Sequence, residues 1–307
     1  MRQKGKKGFW EFLVLAGICM FVAGLFIRDG KASGDTLAEG GRKERELPGS
    51  PGDNGDSRDL AEALAGTLEI AGSTSMEHVT WALAESFMEE YPQVTVTVEC
   101  IGSSAGIEAV GAERVQIGNT SRALKQGEQE LGLVEVPMAR DGIAVCVDPA
   151  NLVKGITREQ LGDIYAGRIT NWQQLGGRDI PIVVIGREAG SGTRSAFEAY
   201  LGLSGQCRYA NELDSAGAVL ARIASIPGAI GYLSMAEADH GVRTLCLDGV
   251  EPCAGHVAEG RYPLARPFVM VAGEEDWEQN VLVRTWFTYV LGTKGQEIIE
   301  EIGLAGP

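Results

Sequence analysis

The feature of this chain that most limits its fold is a repeated succession of short apolar run, small-residue turn and helix-spaced apolar face. The first instance begins near Thr67, where residues 68–71 form a short apolar strand followed by Gly72, Ser73, Thr74 and Ser75. Met76, Val79, Leu83 and Phe87 then fall on one helical face, with Pro92 beyond its end. Val94, Val96 and Val98 alternate as in a strand and lead into Gly102, Ser103, Ser104, Ala105 and Gly106, after which Ile107 and Val110 open a second helix. The third instance runs from residues 183–185 through Arg187, Gly190, Ser191, Gly192 and Thr193 into a helix faced by Phe197, Tyr200 and Leu201. Strands alternating with helices predict an α/β protein with largely parallel sheets, and ligands in such folds sit beyond the carboxyl ends of strands.

The three turns share one chemistry. Each presents backbone N–H groups at the positive end of a helix dipole, an arrangement that holds a tetrahedral oxyanion. Glycine allows close approach of the backbone, and hydroxyls donate further hydrogen bonds, so Thr74, Ser75, Ser103, Ser191, Gly192 and Thr193 form one candidate donor set. Arg187 is the candidate forked, charged donor. Any one of these turns alone reads more readily as an ordinary helix cap than as a ligand site; three in one chain are the signal.

Other chemistries lack their residues. The formal net charge is −15 and the basic residues do not cluster beyond the first few, which argues against nucleic acid. Six cysteines without a Cys-x-x-Cys pair and three scattered histidines give a zinc site no support. Ser191 has glycine on both sides but lacks the Gly-x-Ser-x-Gly spacing of a hydrolase elbow, and Arg194 rather than lysine follows Thr193, so the nucleotide phosphate loop is absent too. No cofactor is implied. Trp172, Tyr232 and Trp286 read as turn or core residues.

The start of the chain is membrane-directed: Arg2, Lys4, Lys6 and Lys7 precede an apolar stretch over residues 9–27 that only Glu11 interrupts. Residues 1–28 are therefore expected to be a cleaved signal or a retained anchor, with everything beyond outside the cytoplasm. Cys19 reads as an ordinary apolar membrane residue rather than a lipidation site, because Ile18 precedes it. Residues 29–66 read as a flexible acidic linker, since residues 35–59 contain hardly any large apolar side chain.

The run Arg187, Glu188, Ala189, Gly190, Ser191, Gly192, Thr193, Arg194 resembles the signature of the periplasmic-type phosphate-binding proteins, the substrate receptors of phosphate ABC transporters. The likeness extends over nearly all of residues 68–307, through segments 72–75, 102–107, 117–124, 139–144, 169–172, 228–234 and 262–268 in that order. It implies a two-lobed, hinged α/β protein of the periplasmic-binding-protein-like (type II) fold, with phosphate sealed between the lobes and two crossovers, placed near Ala144 and Glu259. Lobe I would comprise residues 67–143 and 259–307, and lobe II residues 144–258.

By position, Thr74 and Ser75 match the family's first ligand turn, Ser103 the second, and Arg187, Ser191, Gly192 and Thr193 the last. Well-known members carry an aspartate where this chain has Ser121 followed by Arg122, so both of these join the candidate site while the family's proton acceptor is missing from its usual place. An acceptor separates hydrogen phosphate from sulfate. Asp141 is the candidate replacement, oriented by Arg122 or Arg187; its alternative role is a structural ion pair with Arg140. The resemblance implies a monomeric binding protein that is not an enzyme, with inorganic phosphate and a membrane permease as partners. The alternatives are a receptor or sensor for another oxyanion, such as sulfate or molybdate, and, further off, a serine hydrolase or phosphatase. Cys246 and Cys253 are either a small disulfide loop or two free thiols.

Overall fold

The computed structural model describes residues 63–238 and 241–307; the expected membrane segment, Cys19 and most of the linker lie outside them. Among the described residues no helix is long and apolar enough to cross a membrane. The strands are β1 (Gly66–Gly72), β2 (Val94–Cys100), β3 (Ile117–Thr120), β4 (Leu133–Val147), β5 (Gly155–Ile156), β6 (Val183–Arg187), β7 (Asn211–Leu213), β8 (Ala229–Ser234), β9 (Arg243–Thr244), β10 (Cys246–Leu247) and β11 (Ala265–Gly273). The helices that bear on the site are α1 (Glu77–Glu90), α2 (Ser103–Gly111), α3 (Gln126–Gln129), α4 (Arg158–Tyr165), α5 (Gly192–Leu201) and α6 (Ala216–Ser225).

The predicted local elements form as their apolar spacing requires. Met76, Val79, Leu83 and Phe87 are all buried along α1 and its entry turn, and Val94 and Val96 alternate with exposed threonines on β2. The sheet, however, is mixed rather than largely parallel. Its order is β2-β1-β3-β11-β4-β8-β6-β7, with β9 also on β4. β1 is parallel to β2 and β3, and β6 to β7 and β8, but β11 runs antiparallel to both β3 and β4, and β4 antiparallel to β8. The antiparallel centre is made by the two strands that pass between the halves of the molecule, and local helix-strand alternation carries no trace of them.

β4 pairs with β11 from Leu133 to Gly142 and with β8 from Ile143 to Val147, so one continuous strand serves two cores. The first core holds Leu68, Ile70, Phe87, Val96, Phe268 and Trp286; the second holds Ile143, Val145, Tyr165, Phe197, Tyr232 and Leu264. Each such side chain contributes on the order of 1.5–3 kcal/mol when buried. Tyr262 and Leu264 pack in the second core, which puts the change of core on the returning segment between Leu264 and Phe268, beyond Glu259. Trp172, Tyr232 and Trp286 are buried as core residues.

The small-residue turns are a packing requirement as well as a chemical one. Gly72 has φ 148°, and a Cβ there would lie 2.1 Å from the Asn119 carbonyl oxygen; a Cβ on Gly106 would lie 2.5 Å from the Gly72 Cα. The N-terminal turn of α2 therefore sits directly on the carboxyl end of β1. Cys246 and Cys253 are both free thiols, as are the other described cysteines.

Candidate functional site

The carboxyl ends of β1, β3 and β6 meet at one place. There the Ser75 Oγ and Thr193 Oγ1 are 2.8 Å apart, the Ser73 hydroxyl donates to Ser121 Oγ at 2.9 Å, and the Ser103 and Ser121 hydroxyls are 3.3 Å apart. The Ser121 N–H donates to Ser103 Oγ at 3.2 Å. All of these residues are buried, Ser103 and Ser121 completely. Hydroxyls gathered out of water must be hydrogen-bonded to one another or to a ligand, because an unpaired buried hydroxyl is costly. Gly192 opens α5 against this cluster, and a Cβ there would lie 2.4 Å from Ser103 Oγ and 2.5 Å from Ser121 Oγ. The first N–H groups of α5 and α2 have no carbonyl of their own helix to reach. Hydroxyls and helix N-termini thus converge at one point.

Thr74 and Ser191 stand at the margin of the cluster. Thr74 Oγ1 accepts the Ala216 N–H at 3.2 Å, a bond between the start of α6 and the turn after β1. Ser191 caps α5, its Oγ accepting the Arg194 N–H at 3.2 Å, as the cap reading of this turn requires.

The charged member of the cluster is an arginine that the sequence reading did not single out. Arg266, buried on β11, donates from Nη1 to Thr193 Oγ1 at 2.6 Å and to the Ser121 carbonyl at 3.4 Å. Its Nε and Nη2 donate to Asp141 Oδ2 at 3.0 and 2.8 Å, a forked pair whose two side chains are almost wholly buried. The Ser234 hydroxyl donates to Asp141 Oδ1 at 2.8 Å. Burial pushes the Asp141 carboxyl up, against the Arg266 guanidinium and the Ser234 hydroxyl, which hold it down.

Two expectations about the partner of Asp141 are corrected here. Asp141 is oriented by Arg266, not by Arg122 or Arg187, because β11 lies beside β4 and puts Arg266 opposite Asp141 in register. Arg140 does not pair with Asp141 either; as neighbours on a strand they face opposite ways, and Arg140 donates to the Gly306 carbonyl at 3.1 Å. Arg187 is the last residue of β6, and its guanidinium donates to both Glu188 carboxylate oxygens at 3.0 Å and to the Asp214 carbonyl at 3.1 Å. Arg122 turns to Glu128, with two bonds of 2.7 Å, and to Ser104 Oγ at 3.1 Å. The guanidinium beside Glu128 holds that carboxyl below its ordinary range, against the opposing effect of burial. The structure thus brings together Ser75, Ser103, Ser121, Gly192 and Thr193, adds Ser73 and Arg266, links Asp141 through Arg266, and leaves Arg122 and Arg187 bonded to neighbouring carboxylates. The signal that could have found Arg266 is a lone arginine in the otherwise apolar run of residues 265–272, which can be buried only if it is paired.

Comparison with known proteins agrees with this architecture. Residues 59–294 match the model of the PBP superfamily domain. The phosphate-binding protein PstS of Bacillus subtilis is 39% identical over 214 residues, covering 69% of this chain and 71% of the relative. The chain belongs to the PstS family, within the PBP superfamily. A Clostridium perfringens protein solved with bound phosphate is 38% identical and superposes with a TM-score of 0.76 over 79% of this chain and all of the other. An ABC-type phosphate transport receptor from Vibrio cholerae is 32% identical, with a TM-score of 0.65 over 78% of this chain and all of the other. The expected α/β periplasmic-binding-protein-like fold is therefore the fold of this PstS-family chain.

Proposed function

We propose that this protein captures inorganic phosphate outside the cell membrane and delivers it to an ABC transporter permease, without covalent chemistry. The observation that carries the reading is the Arg266 guanidinium, which bonds Thr193 from the second half while paired with Asp141 of the crossing strand. A fixed cation among buried hydroxyls and helix N-termini suits a small tetrahedral anion in a place that solvent screens little. The relatives support it: they are named as phosphate-binding proteins, and one was solved with phosphate.

In this reading lobe I contains β1 to β3 and the residues after Leu264, lobe II contains the residues between Ile143 and Leu264, and β4 and β11 form the hinge. The Ser75–Thr193, Thr74–Ala216 and Arg266–Thr193 bonds describe the closed form, which a permease distinguishes from an open one. Thr74, Ser75, Ser103, Ser121, Gly192, Thr193 and Arg266 line the phosphate, with Ser191 and Arg187 holding the last turn in shape. Asp141 supplies the acceptor that separates hydrogen phosphate from sulfate. The basic and apolar start of the chain tethers or exports the receptor.

Calorimetric titration of the full chain with phosphate, after removal of any co-purified anion and with sulfate as competitor, tests this. Tight phosphate binding that sulfate does not displace is the expected result. A folded, ligand-free protein that takes up no phosphate refutes the reading, and equal competition by sulfate refutes the role of Asp141.

A further inference from the structure

The turn that holds Asp141 carries a second acid that the phosphate reading does not use. Ser234 and the Met235 N–H bond Asp141, and the chain continues as a single 3-10 turn over Met235–Glu237. Glu237 Oε2 is buried and has no hydrogen-bond partner among the described residues. The residue lines a cavity of about 280 Å³ with His78 from α1, Ala216, Gly217 and Leu220 from α6, and Ala236. Both helices begin at this cavity, and the Ala216 N–H is the group that bonds Thr74. The cavity therefore opens beside the anion cluster, at the junction of the two cores.

Among the described residues, the charges that act on Glu237 come from four elements packed around it, while the α6 wall of the cavity is uncharged. Arg266 on β11 and Arg187 on β6 favour its carboxylate; Asp141 on β4 and Glu77 at the start of α1 oppose it. His78 shares the cavity wall. The nearby thiols of Cys100 and Cys146 are pushed up to about 12, chiefly by burial, and so carry no charge at neutral pH. Burial, ahead of the Asp141 charge, pushes the Glu237 carboxyl up to about 8.

We infer that Glu237 is a proton acceptor coupled to the anion site: when phosphate enters between the two halves, a proton from solvent moves onto the Glu237 carboxylate. An arriving anion adds negative charge close to a carboxylate that has no donor on Oε2 among the described residues and already feels the Asp141 charge. It also draws on Arg266, one of the two cations that otherwise stabilise Glu237 as an anion. The balance is simple: a buffer acid loses the proton, the carboxylate becomes a neutral acid, and the solvent-facing cavity gives the route. Capture then adds less net charge to the closed site than the ligand carries. The inference rests on the phosphate reading, because it needs an anion in the cluster.

The test is calorimetry of phosphate binding to the full chain near pH 8, in buffers that differ in ionisation enthalpy, on wild type and Glu237→Gln. Comparing the two cancels the ionisation of phosphate itself. The expected result is an uptake by wild type of up to about half a proton more than the variant, since a carboxyl at its own pKa is half protonated beforehand. Between pH 7 and pH 9 the wild-type affinity is expected to fall roughly threefold or more relative to the variant. Equal buffer dependence in the two proteins overturns the inference. If the variant does not fold, carbon-13 titration of glutamate-labelled wild type decides instead: a glutamate carboxyl titrating near pH 8 must move upward when phosphate is added, and an unmoved one overturns the inference. Absence of phosphate binding by folded wild type would refute the phosphate reading itself.

Discussion

The Ser75 and Thr193 hydroxyls lie 2.8 Å apart although 118 residues separate them in the chain. Ser75 belongs to the turn after β1 and Thr193 to the first turn of α5, elements of different cores. The bond forms because two turns of small residues bring the Thr74–Met76 turn before α1 and the start of α5 together. A helix N-terminus favours negative charge beside it, so their meeting suits an anion at this point.

Arg266 should be the residue on which both affinity and stability depend most. Arg266→Ala removes the cation that touches Thr193 and leaves Asp141 buried and unpaired. Loss of one partner of a buried ion pair costs about 3–5 kcal/mol. Chemical denaturation should show a loss of that order, and phosphate titration a weakening of at least about a hundredfold, the equivalent of roughly 2.7 kcal/mol. Arg187→Ala, whose guanidinium is bonded to Glu188 and Asp214, is expected to weaken binding less than Arg266→Ala does.

Gly192 should control closure rather than folding. An added Cβ would meet Ser103 Oγ at 2.4 Å and Ser121 Oγ at 2.5 Å, both across the junction from α5. The clash exists only when the halves are together, so Gly192→Ala should leave the melting transition of the ligand-free protein nearly unchanged. Overpacking of this kind costs about 1–3 kcal/mol, and the variant's phosphate affinity should fall by roughly ten- to a hundredfold. A matching loss of ligand-free stability would show that the glycine serves the fold instead.

What was legible in the sequence was local. The turns at Gly72, Gly102 and Gly190 could be read because a strand, a small-residue turn and a helix follow one another within a few residues. The parts that were missed depend on β-pairing across the chain. Arg266 faces Asp141 only because β11 returns antiparallel to β4, and pairing register over such a distance leaves no periodic mark. Arg187 stands next to the Gly190 turn, where a ligand donor is expected, and in the structure its guanidinium also bonds Glu188 beside it. Asp141 lies on β4 opposite Arg266, a partner the sequence alone did not suggest. The parallel-sheet expectation failed for the same reason: strands that cross between cores look like any other apolar run.

Asp141 should govern selectivity. In Asp141→Asn the Arg266 guanidinium loses its counter-charge and the site its negatively charged acceptor. The amide oxygen still accepts a hydrogen bond but no longer repels a fully ionised anion, so sulfate and hydrogen phosphate are told apart less well. Competition titration is therefore expected to show sulfate displacing phosphate from the variant at comparable concentration, and failing to do so from wild type. Continued exclusion of sulfate by Asp141→Asn would move the acceptor role to another residue.

Glu237 should leave a signature in the pH dependence of stability, independent of any ligand. Its carboxyl is raised by burial from an ordinary 4.5 to about 8 in the folded protein. Across that interval the folded state holds a proton that the unfolded chain releases, and stability falls with rising pH wherever the folded state binds more protons. The contribution of Glu237 is complete below about pH 4.5 and is lost as pH rises through about 8. Glu237→Gln is neutral throughout and lacks this slope. Thermal melts of anion-free protein between pH 5 and pH 9 should show the wild-type midpoint falling more steeply than that of the variant, with the divergence concentrated below about pH 8. Parallel curves would mean that the carboxyl ionises in the fold at its ordinary pH, and that the turn over Met235–Glu237 opens to water to let it do so.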